Sequence, residues 1–418
     1  MFGHKKEKPP IRAAEHTDQL GLYIHIPFCR SKCDFCDFYS LAGRDNRMDD
    51  YQKALLAHLK ETAPQAQDIV IDTVYFGGGT PSYYGGKRLC ELLNTIKKQF
   101  NVDKNAEITL EANPDSVDVK LLRKLRRAGF NRLSMGMQSA CPQELKEIHR
   151  PHTAGQVDEA VAAARKAKFK NISLDLIYGL PGQTMESWQQ SVEHALELDP
   201  EHLSCYGLKV EEGTPLAKRV EEGLVLPDDD MQADLYLWTV ERLKQAGYPQ
   251  YEISNFSKPG LESRHNMRYW LTRPYIGFGP GAHSDFGSRR YSITRDLEGY
   301  IDGILHGGTI IDSDELIPQR ERGSEYLMLR LRTVRGIERT EYRHNFYMDF
   351  DPIEARMKEF EGYGWAEQSP EGRWHFTPKG FLVSNQLIGD LLERQEQSTF
   401  KDLLPRNGEN FQQKPPEK

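Results

Sequence analysis

No stretch of this sequence stays apolar for the roughly 18–20 residues needed to span a bilayer. Its longest hydrophobic runs, such as residues 68–76, meet a charge within a few positions. Residues 1–18 are polar and basic, and lack the apolar region and small-residue cleavage site of a secretory signal. These absences predict a cytoplasmic protein, at most in transient contact with membranes. A basic surplus is missing too. Fifty-five Lys and Arg against 62 Asp and Glu leave a net charge of −7, which argues against a general nucleic-acid binder and leaves room only for a local basic patch. Cysteine is scarce, with six in 418 residues, and a reducing cytosol disfavours disulfides. No internal repeat in the 20–50 residue range is present.

What is there is an ordinary globular composition, 38% hydrophobic and 28% charged, with length enough for two or three domains. Apolar patterning predicts strands at 21–26, 69–76, 107–112, 132–137, 171–178 and 202–208. Helices are predicted between them, at 48–61, 88–100, 117–128 and 187–198 among others. Six βα units with short loops predict an α/β fold with a parallel sheet and helices outside. Periodicity leaves open a partial barrel and a doubly wound sheet. After Pro227 the pattern changes to a long helix, 229–246, and then a glycine- and aromatic-rich stretch, 248–300. A small helical region follows at 315–391, with a hairpin (365–367 and 374–376) ahead of helix 378–392, an order compatible with a winged-helix-like unit. The domain reading is a flexible tail (1–18), a barrel (19–235), a flanking α/β segment (236–312), a C-terminal helical, winged-helix-like domain (313–392) and a disordered tail (393–418).

Three of the six cysteines, Cys29, Cys33 and Cys36, fall within eight residues in a C-x3-C-x2-C spacing. Soft thiolates suit iron–sulfur clusters and zinc. A closed zinc site or an ordinary [4Fe–4S] carrier needs four ligands, and no second Cys or His pair follows. Three thiolates leave one iron of a cluster open for a small molecule with amino and carboxylate groups. A zinc site completed by His25, in an interaction protein, is the competing reading. Further on, the run Phe76-Gly77-Gly78-Gly79-Thr80-Pro81 follows a predicted strand. Its glycines let backbone approach a ligand and offer N–H groups. Glu111, Gln138 and Asp175 lie on or at the ends of consecutive predicted strands, where parallel barrels carry their sites.

The cysteine spacing after a first strand, with Phe35 between the last two cysteines, resembles the signature of the radical S-adenosylmethionine (SAM) superfamily. The flanking Tyr-x-His-Ile-Pro-Phe-Cys is similar to the branch containing the oxygen-independent coproporphyrinogen III oxidases and the HemW heme chaperones. The resemblance covers roughly residues 19–390. It implies a partial (β/α)6, TIM-like barrel, a [4Fe–4S] cluster on Cys29, Cys33 and Cys36, and reductive cleavage of SAM. It also implies SAM contacts from Tyr23, Phe35, Gly78, Gly79, Thr80, Glu111, Gln138, Arg150 and Asp175. Carboxylates would meet the ribose hydroxyls, Arg150 the SAM carboxylate, and the glycine run the SAM amino group.

Two features separate the members of that branch. Position 38 is Phe, where the oxidases usually carry a fourth cysteine, and the stretch before Cys29 is shorter than theirs. The run His265-Asn266-Met267-Arg268-Tyr269-Trp270 resembles the H-N-x-x-Y-W motif of the chaperones. The resemblance implies heme held by His265 as axial ligand, with Asn266, Tyr269 and Trp270 around it. Imidazole is a normal heme ligand, aromatic rings stack on porphyrin, and Arg264 and Arg268 would meet propionates. His25 is expected to support the cysteine loop. No role follows for His283, in the glycine-rich run from Tyr275. The function so implied is a heme chaperone that passes heme to acceptor hemoproteins, plausibly membrane respiratory enzymes, with an electron donor for the cluster. Oxygen-independent coproporphyrinogen III oxidation is the alternative. Whether SAM is cleaved in function, and whether the protein forms a homodimer, stay open.

Overall fold

A computed structural model describes residues 19–396. The chain divides into two compact units, meeting in sequence at Ile317 and Pro318. The expected tails, 1–18 and 393–418, lie outside the described residues, apart from 393–396 at the end of a helix.

The first unit is built on six parallel strands: β1 (Gln19–Ile26), β2 (Val70–Gly78), β3 (Asn101–Ala112), β4 (Arg132–Gln138), β5 (Ile172–Tyr178) and β6 (His202–Gly207). Short antiparallel strands β7 (Gln250–Glu252) and β8 (Asn255–Ser257) flank β6. On the other side, β9 (Tyr275–Phe278) runs parallel to β1 and leads into β10 (His283–Phe286), β11 (Arg289–Ile293) and β12 (Ile311–Leu316). The sheet order is β12-β11-β10-β9-β1-β2-β3-β4-β5-β6-β8-β7. Its edge strands, β12 and β7, do not pair with each other, so the barrel is partial; β1 to β6 follow one another in chain order, without the reversal of strand order that marks a doubly wound sheet.

Helices cross between the strands because their apolar residues recur on one face. In α2 (Gly86–Gln99), Leu89, Leu92, Leu93 and Ile96 are buried at helical spacing. Side-chain caps fix where helices begin: Asp118 accepts from Leu121 N ahead of α3 (Val119–Ala128). Capping boxes at Thr153 and Thr184 start α4 (Ala154–Lys166) and α5 (Met185–Glu197). Helix α1 (Met48–Thr62) links β1 to β2, and α6 (Asp229–Gln245) follows β6.

The alternation along the strands is unusual in what it puts inside. One face carries Val74, Phe76, Leu110, Leu133, Met135, Leu174, Leu176 and Leu203, all buried. The alternate positions carry Thr73, Tyr75, Glu107, Thr109, Glu111, Arg132, Ser134, Ser173, Asp175, His202 and Ser204. Branched aliphatics usually fill a parallel barrel; here the interior positions are polar, which is the property of a binding cavity rather than a core.

The segment Arg264–Trp270 forms a short helix, α7, and Leu297–His306 forms α8. Helix α7 meets the strands at their N-terminal ends. Glu107, early in the buried part of β3, accepts from the first two helical N–H groups, Arg264 N at 3.1 Å and His265 N at 3.0 Å. A carboxylate there satisfies unpaired donors and complements the helix dipole. Arg268 forms a buried ion pair with Asp72 and donates to Pro274 O at 3.0 Å. Its side chain passes over Gly21, where a Cβ would stand 2.5 Å from Arg268 Cδ.

The second unit comprises α9 (Gln319–Arg330), α10 (Arg339–Phe346), α11 (Asp351–Gly362), a hairpin of β13 (Ala366–Gln368) and β14 (Trp374–Phe376), then α12 (Pro378–Leu382) and α13 (Ser384–Glu396). Tyr326, Tyr342, Phe346, Phe360, Trp374 and Leu391 are buried in it.

Candidate functional site

Cys29 ends a two-residue strand, Phe28–Cys29, that pairs with Leu41–Ala42 and so closes the cysteine loop at its base. Cys29, Cys33 and Cys36 line one cavity of about 370 Å3 at the C-terminal ends of the strands. Phe35, Gly78, Gly79, Thr80, Glu111, Gln138, Arg150 and Asp175 line the same cavity. Eight of the nine residues expected around SAM are thus brought together with the three thiols. Tyr23 is the exception; it is one layer deeper, its hydroxyl 3.1 Å from His25 Nδ1. Among the described residues, no three His, Cys, Asp or Glu side chains converge on a single metal ion. Three thiols on one cavity suit the thiolate ligation of an iron–sulfur cluster.

Each thiol has a polar neighbour. Thr80 Oγ1 donates to Cys29 Sγ at 3.3 Å, Ser40 Oγ is 3.9 Å from Cys36 Sγ, and Arg150 Nη1 donates to Cys33 Sγ at 3.1 Å. Burial pushes the Cys29 and Cys36 thiols up, while these hydroxyl donors favour the thiolate. The loop itself is latched by Asp34, between Cys33 and Phe35. Its carboxylate takes His149 Nδ1 at 2.7 Å and Arg219 Nη1 at 3.2 Å. His25 supports the loop as expected, with Nε2 2.8 Å from Tyr39 O. Burial lowers its imidazole to about 4, so it is neutral near pH 7.

The glycine turn is zipped beneath this loop. Gly79 N donates to Ile26 O at 2.8 Å, Thr80 N to Phe28 O at 2.9 Å and Gly78 N to Glu111 Oε2 at 3.1 Å. Gly78 has φ +108°, and a Cβ there would stand 2.5 Å from the His25 ring. The sequence suggests that the turn offers N–H groups to a ligand. The fold takes those N–H groups itself.

Glu111 also accepts from the Tyr75 hydroxyl at 2.7 Å. Burial pushes its carboxyl up to about 7, and nearby Asp175 adds to the rise. Asp175 is raised by burial as well, against donation from Ser204 at 2.7 Å, Ser134 at 3.2 Å and Ser173 at 3.2 Å. Gln138, at φ +57°, ends β4, and its Oε1 is buried with no partner. Arg150 Nε is likewise unpaired, while Nη2 is held by Asn113 Oδ1 at 2.9 Å and Gly136 O at 3.2 Å. Unpaired buried polar atoms beside carboxylates fit a ligand with hydroxyl, amino and carboxylate groups, so the residues present fit a cluster and SAM.

Sequence reading missed Tyr75, Asn113, Arg132, Ser134 and Ser204, which also line the cavity. Period-two counting gave a signal for several: Asn113 is two residues past Glu111, and Ser134 and Arg132 are four and six before Gln138.

The expected heme residues, Asn266 apart, sit elsewhere. His265 is 1% exposed. Its Nδ1 is 2.9 Å from Thr73 Oγ1, and its Nε2 is 2.9 Å from the Tyr269 hydroxyl. Burial pushes its pKa well below the usual imidazole value. Both ring nitrogens are therefore engaged in this structure. Arg268 is paired with Asp72, and Trp270 and Tyr269 are half-buried. Asn266 lines the cavity that holds the cysteines; His265, Tyr269 and Trp270 are not among its lining residues.

Residues 23–195 match the radical SAM superfamily. The chain is 34% identical over 373 residues to the heme chaperone HemW of Bacillus subtilis, covering 88% of this chain and 98% of that one. It is 34% identical over 375 residues to HemW of Escherichia coli, covering 88% and 97%, and 38% identical over 323 residues to HemW of Mycobacterium tuberculosis, covering 76% and 83%. Among solved structures, the coproporphyrinogen III oxidase HemN of E. coli superposes with a TM-score of 0.80 at 24% identity, covering 91% of each chain; that likeness concerns the fold. With the cysteine triad at the mouth of a matching barrel and near-full-length relatives of one kind, the chain belongs to the HemW family of HemN-like radical SAM proteins.

Proposed function

We propose that this protein is a heme chaperone whose cavity takes a [4Fe–4S] cluster on Cys29, Cys33 and Cys36, with SAM beside it. The observation that carries the cofactor reading is the shared cavity: three thiols, two raised carboxyls, an unpaired Gln138 oxygen and the Arg150 guanidinium around one space. The chemistry such a cluster supplies with SAM is one-electron reductive cleavage of the sulfonium. The chain's own part is to hold and orient. Arg150 and Gln138 meet the methionyl end, Asp175 and Glu111 meet hydroxyl or amino groups, and Phe35 lies along the wall. Tyr23 acts from behind Glu111.

The heme reading is supported by the relatives, which are named heme chaperones. Phe38 supports it too. That side chain is 66% exposed at the cavity rim, where the oxidases usually carry a cysteine. Heme would be handed to acceptor hemoproteins, membrane respiratory enzymes fitting best, with a reductant feeding the cluster. Among the described residues no helix is long and apolar enough to cross a membrane, which suits a cytoplasmic protein that meets membranes only transiently. Ligation of heme iron by His265 would require its Tyr269 hydrogen bond to open.

Anaerobic reconstitution with iron and sulfide, followed by heme titration and an assay with coproporphyrinogen III, reductant and SAM, tests the proposal. The expected result is about four irons per chain, stoichiometric heme binding and no protoporphyrinogen. Robust protoporphyrinogen formation would replace the chaperone reading with the oxidase. Iron-free protein that binds zinc would remove both.

A further inference from the structure

The H-N-x-x-Y-W helix lies at the N-terminal ends of the strands, the opposite end of the barrel from the cysteines, and only its Asn266 reaches the cysteine cavity. We infer that His265 is a positioning residue for the SAM cavity, acting through Tyr75 and Glu111 on the glycine turn. This rests on the reading of that cavity as a SAM site and gives the motif a role there.

Two routes run from the His265 ring to Gly78. In the first, the imidazole stacks on Tyr75, with centroids 5.1 Å apart and planes 24° from parallel. The Tyr75 hydroxyl donates to Glu111 Oε1 at 2.7 Å, and Glu111 Oε2 accepts from Gly78 N at 3.1 Å. In the second, Tyr23 stacks on both rings, 6.5 Å from His265 and 6.2 Å from Tyr75. The Tyr23 hydroxyl is 3.1 Å from His25 Nδ1, and the His25 ring packs on Gly78.

The start of both routes is fixed. His265 is clamped by Thr73 on one nitrogen and Tyr269 on the other. A neutral imidazole has one donor and one acceptor, and hydroxyls can serve either, so the clamp is complete in both tautomers. Its backbone N is held by Glu107 at 3.0 Å. Removing the ring leaves Tyr75 stacked on Tyr23 alone, without its closer neighbour. The hydroxyl then loses its aim at Glu111, and Glu111 its grip on the turn. Burial already pushes the Glu111 carboxyl up to about 7, and the Tyr75 hydrogen bond favours its charged form.

The test uses the anaerobically reconstituted holoprotein. SAM affinity is measured by equilibrium dialysis without reductant, and the effect of SAM on the cluster's low-temperature EPR spectrum is recorded alongside. His265→Ala should weaken SAM binding about tenfold, within the roughly 5–150-fold range of coupled sites, while iron content holds. Tyr75→Phe keeps ring and stacking but lacks the hydroxyl, and should lose SAM affinity to a similar degree without a change in melting temperature. His265→Gln, which keeps polar contacts to Thr73 and Tyr269, should recover part of the loss. SAM affinity unchanged in both His265→Ala and Tyr75→Phe would overturn the inference. So would loss of heme from His265→Ala with SAM binding intact. Wild-type holoprotein that takes no SAM would overturn the reading of the cavity itself, and this inference with it.

Discussion

The mouth and the floor of the barrel are built from the same kinds of residue and do opposite things with them. At the floor, His265 is engaged on both nitrogens, Glu107 caps a helix and Asp72 neutralises Arg268, whose Nε alone of these is left without a partner. At the mouth, Gln138 Oε1 and Arg150 Nε have no partner, and two carboxyls sit above their usual range. Polar groups satisfied by the protein make scaffold; polar groups left unsatisfied around a cavity make a binding site. A motif full of ligand-type side chains therefore lies in the scaffold, and plain strand residues such as Ser134 and Ser204 lie in the site.

The comparison predicts that damage at the mouth removes cofactor and spares the fold, whereas damage at the floor costs stability first and reaches the cofactor only through the His265–Tyr75–Glu111 route. The largest effect is expected from Cys33→Ala. Bound iron should fall from about four per chain to near none, with thermal unfolding of the apoprotein unchanged; iron analysis beside calorimetry checks both. Asp72→Ala comes next. Stranding Arg268 in the interior should cost about 3–5 kcal/mol in denaturant unfolding, whereas the cysteine ligands themselves are untouched.

A smaller effect is in pH. Glu111 has an ordinary value of 4.5 and is raised to about 7 in the fold. Between those values the folded protein keeps a proton that the unfolded chain has lost. Its contribution to stability is therefore lost as pH rises through that window and is level on either side. Glu252, also raised by burial to about 7, adds to the same slope. Glu111→Gln should make the apoprotein's stability–pH curve shallower there without flattening it. The smallest effect belongs to Phe38→Cys: an exposed rim side chain carries no fold energy, and iron count should not change.

Much of this was legible beforehand, for definite reasons. The six parallel strands follow from alternation and turn residues, which are local. Cys29, Cys33 and Cys36 are close in sequence, so their clustering needs no fold to see it. Glu111, Gln138 and Asp175 follow from their places on or at the ends of strands. Three things were not legible. The glycine turn's N–H groups are consumed by Ile26, Phe28 and Glu111, a consequence of strand pairing. Ser204 reaches the cavity only through the register that sets it beside Asp175. His265 meets Thr73 and Tyr75 across about 190 residues of chain. Its motif reads as an exposed ligand set until the barrel closes around it.

The central claim is that three thiolates leave one iron open to SAM. The most direct measurement is the EPR spectrum of the reduced, reconstituted protein before and after SAM is added. The account predicts a cluster signal that changes with SAM and is absent in Cys33→Ala. A cluster whose spectrum ignores saturating SAM, because a fourth protein side chain completes its ligation, would contradict it.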